Sequence, residues 1–121
     1  MSKQFRKREE EEELVKRFEA MLRKKERAYM DLAEYEVVID HYIEANKNKK
    51  ALAAVEMAIE VYPFSTELSN SKAQVLTNLE RFAEAEELLN DVRRLNPYDM
   101  DTLLNLGTLF PTQRRFEEAI E

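Results

Sequence analysis

Reaction chemistry has few residues to start from in this chain. His41 is the single histidine, Gly107 is the single glycine, and there is no cysteine. Without a thiol there is no disulfide, no thiol nucleophile and no thiolate metal site. One histidine cannot build a His-based metal cluster. His41 stands between Asp40 and Tyr42. A Ser–His–Asp arrangement also needs a serine that the fold carries to the imidazole, and nothing in the sequence marks one. His41 therefore reads as a partly buried residue at a helix contact. A phosphate-cradling loop is glycine-rich, which a single glycine excludes. The carboxylates Glu86 and Glu87, like Glu117 and Glu118, are direct neighbours. Direct neighbours do not share a helix face, so these pairs read as solvated surface. The sequence predicts no catalytic residue, no metal ligand and no cofactor, and the chain is not expected to be an enzyme.

The remaining polar side chains are suited to binding, and the question becomes which elements hold them. At 121 residues the chain has the length of one domain. One Gly and three Pro, beside abundant Glu, Lys, Arg, Leu and Ala, predict helix almost throughout. No long period-two alternation of the half-buried strand type is present. The basic residues of the N-terminus run straight into Glu9–Glu13 with no apolar stretch behind them, so no signal peptide is read. No run of about 18 apolar residues exists to span a membrane. A cytoplasmic protein is the default expectation. Charge is divided unevenly: residues 1–30 hold ten Lys and Arg against seven Glu, and residues 31–121 hold nine against eighteen Asp and Glu. The acidic body would repel phosphate backbones, whose binding rests on cationic contacts, so no nucleic-acid partner is expected.

Residues 1–13 are a charged arm, read as a frayed helix end or a disordered segment. Residues 14–30 hold a capping helix and linker, with Leu14, Phe18 and Met21 on one face and Val15 and Leu22 beside them. That stripe covers barely two heptads, short for a coiled coil. Asp31 with Glu34 three residues on predicts a capping box. Because no Gly or Pro interrupts 26–30, one helix over 10–45 is also compatible with the sequence.

Beyond this point positions recur every 34 residues: Ala51, Ala85 and Ala119; Tyr42, Leu76 and Phe110; Ile39, Ala73 and Gly107; Pro63 and Pro97. A period of this length, made of two short helical stretches, marks a stacked helical repeat. Units are read at 31–65, 66–99 and 100–121. In the third, Leu103, Leu106, Gly107 and Phe110 lie on a first helix, and Phe116, Ala119 and Ile120 begin a second. That unit is incomplete, and the chain is read as an N-terminal fragment of a longer array.

The pattern resembles the tetratricopeptide repeat family, in arrays of bacterial type. The family asks for a small residue inside each first helix, met by Ala73 and Gly107 but not by Ile39. It asks for a bulky one soon after, met by Tyr42, Leu76 and Phe110. An aromatic opens the second helix at Phe82 and Phe116 but not at Asn48. The alanine follows at Ala51, Ala85 and Ala119, and the closing proline at Pro63 and Pro97. The resemblance implies an all-α fold, a right-handed α-α superhelix of helix-turn-helix units with an N-terminal capping helix.

It also implies a protein-binding scaffold whose first helices line a concave, peptide-binding groove. By position the groove residues are Glu36, Asp40, Asn70, Gln74, Asp101, Leu104 and Thr108. Amides among them can donate to and accept from a peptide backbone, and the carboxylates favour a basic or neutral segment. Members that clamp a chaperone's C-terminal carboxylate use Lys, Arg and Asn in the groove. Here those positions hold Glu36, Asp40, Ser71, Asp101 and Asn105, which argues against such a tail. The alternative function is self-association through the N-terminal helix or the open third unit, giving a homo-oligomer.

Overall fold

The computed structural model describes residues 3–25 and 28–120. Among them lie six α-helices and no strand: α1 (Lys3–Lys24), α2 (Leu32–Glu44), α3 (Asn48–Val61), α4 (Thr66–Asn78), α5 (Phe82–Leu95) and α6 (Met100–Ile120). Each helix packs on the next, and α2, α4 and α6 also touch in succession. The chain is an all-α helical repeat solenoid.

The starts of α2, α4 and α6 repeat at the 34-residue step. Asp31 Oδ1 accepts the Glu34 N–H at 2.8 Å, and Glu34 Oε1 accepts the Asp31 N–H at 3.0 Å. This is the capping box expected from the sequence, and it satisfies two backbone donors that the first turn leaves free. Ser65 Oγ accepts the Leu68 N–H at 3.2 Å. Asp99 Oδ2 accepts the Thr102 N–H at 3.0 Å, a cap that the sequence reading passed over. The turns after α2 and α4 also match. Asn46 (φ 59°) and Glu80 (φ 65°) adopt the left-handed conformation. The next N–H bonds back to the helix, Lys47 to the Tyr42 carbonyl and Arg81 to the Leu76 carbonyl, both at 2.8 Å. These are Schellman motifs, which bind carbonyls that the helix end leaves open. Pro63 and Pro97 restrict the residues before them to extended conformations, and α3 and α5 stop at Val61 and Leu95.

Three expectations need correction. The charged arm 1–13 and the capping helix 14–30 are not separate, because α1 runs unbroken from Lys3 to Lys24. Met1 and Ser2 lie outside the described residues. Nor does one helix span 10–45: Lys25 turns left-handed at φ 55°, and α2 begins only at Leu32. Third, the last unit contains no turn, since α6 continues through Pro111 to Ile120. Phe116, Ala119 and Ile120 therefore extend its only helix. Arg114 holds the place of Asn46 and Glu80; the turn at Glu80 forms without a Gly or Asn and is held by the helices around it, whereas among the described residues no helix follows α6 to hold a turn at Arg114.

The core divides into two clusters. One joins Val15, Phe18 and Met21 of α1 to Val38, Ile39 and Tyr42 of α2 and to α3, with Leu68 and Val75 of α4. The other joins Ala73 and Leu76 of α4 to Phe82, Ala85 and Leu89 of α5 and to Leu106 and Leu109 of α6. Ala51 and Ala85 are wholly buried, so their missing bulk lets helices approach. Ala119, in the same register, is exposed. Gly107 is open too: a Cβ added there meets no atom within 4 Å.

Candidate interaction surface

Successive first helices touch, α2 with α4 and α4 with α6, whereas α3 and α5 do not. The stack therefore curves with α2, α4 and α6 on its inner side. A cavity of about 300 Å³ opens there, lined by Glu36, Asp40, Glu67, Asn70, Ser71, Gln74, Asp101, Leu104 and Asn105. Repetition produces this arrangement. Glu36, Asn70 and Leu104 stand one unit apart, as do Asp40 and Gln74, Glu67 and Asp101, and Ser71 and Asn105. Six of the seven residues picked from the sequence thus meet in one cavity. Thr108 is not among its lining, and its hydroxyl donates to the Asn105 carbonyl at 3.1 Å. Glu67 was missed, although the 34-residue step from Asp101 points to it.

These side chains differ in what they can offer. Asn70 is only 6% exposed. Its Nδ2 lies 3.1 Å from the Thr66 carbonyl, 3.2 Å from Asp99 Oδ2 and 3.0 Å from Thr102 Oγ1. Its Oδ1 accepts from Asn105 Nδ2 at 2.9 Å. The amide is therefore occupied in joining α4 to α6. Thr102 also donates its hydroxyl to Asp99 at 2.7 Å. The Thr102 hydroxyl and N–H, with Asn70, hold the Asp99 carboxyl below the usual carboxylate range. Gln74, by contrast, is exposed.

Among the described residues, the ionisable groups lining the cavity are Glu36, Asp40, Glu67 and Asp101, with no Lys or Arg. Glu36 Oε1 is buried and meets no donor. Burial, then the Glu67 carboxylate and Asp40, push the Glu36 carboxyl up to about 7. Desolvation raises Asp40 as well, with Glu44 and Glu11 adding repulsion. Carboxylates crowded out of water favour the neutral form. On the far side of Asp40, Lys7, Arg8 and Glu11 of α1 line a second cavity with Val37 and Glu44 of α2. His41 faces this side, its Nδ1 3.0 Å from Glu11 Oε1, which places it at the α1–α2 contact.

Among the described residues, no group of three or more His, Cys, Asp or Glu is placed to hold a metal ion. None of the helices there is long and apolar enough to cross a membrane. The surface offers hydrogen-bond acceptors and negative charge along a curved wall, which suits binding.

Comparison with curated proteins and with solved structures gives no match. A tetratricopeptide repeat family profile matches residues 39–100 and 73–121. Repeats of this family generally mediate protein–protein interaction and are generally non-catalytic. With the period in the sequence, the curved stack and this match in agreement, the chain belongs to the tetratricopeptide repeat family.

Proposed function

We propose that the protein is a binding module that takes a segment of a partner protein on the concave wall of α2, α4 and α6. The observation that carries this reading is the convergence of Glu36, Asp40, Asn70, Gln74, Asp101 and Leu104 on one cavity. Thr108 stands one unit beyond Gln74 and would serve as a flanking contact. The test is affinity capture followed by mass spectrometry, comparing wild type with Asp40→Ala/Gln74→Ala. Both residues are exposed, so the variant keeps the fold. A partner lost only from the variant supports the reading, and partners retained equally by both sink it. The carboxylates argue against nucleic acid and against a chaperone's C-terminal carboxylate as ligand.

A second reading, self-association, rests on α6. Leu103, Leu104 and Phe110 are 40%, 60% and 51% exposed, and they surround the open Gly107. Exposed apolar patches mark contact surfaces. Phe110→Glu should then abolish any concentration-dependent increase in mass during sedimentation. A mass that stays monomeric at all concentrations removes this reading.

A further inference from the structure

Tyr42 sits in the core with its polar end unsatisfied. The side chain is 2% exposed, and its hydroxyl is buried with no hydrogen-bond partner. A buried polar group left unpaired costs stability. Repeat packing does not ask for one here, since Leu76 fills the same place one unit on, equally buried and with no polar atom. Burial, then the Glu19 carboxylate, push the phenol up to about 12, so it keeps its proton at neutral pH. Glu19 stands near enough for that effect but outside hydrogen-bonding geometry. Tyr42 lines a cavity of about 410 Å³ with Lys16, Glu19, Leu22 and Arg23 of α1 and Lys50 of α3. Among the described residues α1 packs on α2, and α3 packs on α2 and α4, which leaves a groove between α1 and α3. Lys50 spans it, with Nζ 3.9 Å from Glu19 Oε2 and 5.9 Å from the centre of the Tyr42 ring. Three cations thus face one carboxylate, an excess of positive charge in a chain whose net charge is -6.

We propose that this groove binds a phosphoryl group, with the Tyr42 hydroxyl donating from its floor and Lys16, Arg23 and Lys50 supplying the opposing charge. A phosphoryl group carries about -1.5 to -2 at pH 7 and three acceptor oxygens, which balances the excess of cations, whereas a carboxylate carries a single charge. Hydrogen bonds from Lys and Arg to phosphate are short and strong. Leu22 and the Tyr42 ring give an apolar wall for the carbon stem of an ester. Lys50 and Glu19 are both about half exposed, and an ion pair of that kind holds weakly. An entering anion therefore draws Lys50 away from Glu19 at low cost and uncovers the hydroxyl. The acidic remainder of the chain repels a nucleic-acid backbone, so the ligand is an isolated group. The groove shares no residue with the concave cavity, and the inference does not depend on that cavity being the binding face.

The test is titration of inorganic phosphate into the isotope-labelled protein, followed by amide NMR at about pH 8, where the phosphoryl group is fully charged. Shifts should saturate and centre on α1 and the start of α3. Tyr42→Phe removes only the hydroxyl. It should weaken binding about tenfold, while the melting temperature holds or rises because no hydrogen bond is lost. Lys50→Gln should also weaken binding, and Lys49→Gln, outside the groove, should not. Acetate at equal ionic strength should bind more weakly than phosphate. Shifts that do not saturate, equal binding by Tyr42→Phe, or equal affinity for acetate overturn the inference. A lower melting temperature for Tyr42→Phe overturns it as well, by showing that Glu19 already holds the hydroxyl. The source of the group is read with phosphoserine in a short Ala–Gly peptide. Tighter binding than inorganic phosphate assigns the groove to a phosphorylated protein side chain, and equal or weaker binding assigns it to a free phosphate ester.

Discussion

Glu36 couples the cavity to pH. Its carboxyl is held at about 7 in the folded chain against 4.5 for an unperturbed group. Between those values the folded state binds more protons than the unfolded state, so this group's contribution to stability declines as pH rises through that window. With solvent screening, the effect stays below about 1 kcal/mol. Glu36→Gln should therefore melt higher than wild type at pH 8 and differ little from it at pH 4.5. Equal melting temperatures at pH 8 would refute the buried, crowded carboxyl. Asn70 shows a different kind of dependence. Its partners Asp99 and Thr102 stand at the start of α6, so Asn70→Ala should cost about 1–3 kcal/mol by leaving buried polar groups unpaired. Gln74→Ala, one turn along and exposed, should stay within about 0.5 kcal/mol. Chemical denaturation of the two variants separates them. The resemblance to the repeat family is enough to propose both residues for the groove. What it does not convey is that one amide is already spent, because that depends on how closely α4 and α6 approach.

At the scale of elements, the same alanine means different things in different units. Ala85 is sealed between α4, α5 and α6, so Ala85→Leu should overpack the site and cost about 1–3 kcal/mol. Ala119 lies exposed on α6, and Ala119→Leu should be nearly silent in the same thermal melts. A matched loss at both positions would mean that Ala119 is packed after all. Gly107→Ala should stabilise the chain by about 0.5–1 kcal/mol, since the new methyl meets nothing and glycine costs a helix backbone entropy. The capping box at Asp31 and the ends at Pro63 and Pro97 were legible because their chemistry is local. The unbroken α6 was not. Its register resembles that of the earlier units, but the left-handed turn at Glu80 has no favourable residue either. Whether such a turn forms is decided by the helices packed around it, which a repeat pattern does not reveal.

Over the whole molecule, the two core clusters meet at α4, which gives Leu68 and Val75 to one and Ala73 and Leu76 to the other. Among the described residues α6 packs only on α4 and α5, and it leaves Leu103, Leu104 and Phe110 partly in water. In a linear stack each unit is held by its neighbours alone, so local opening should begin at α6 and spread inward. Native-state amide exchange should show the fastest protected amides in α6 and the slowest in α2–α4; uniform rates would contradict this. Asp101, Leu104 and Asn105 carry one wall of the cavity, and that wall is the part that opens first. Occupancy and order are then linked: a chain whose last helix has melted loses the site while most of its core stands, and a partner seated on the wall slows exchange in a helix whose outer face it never touches.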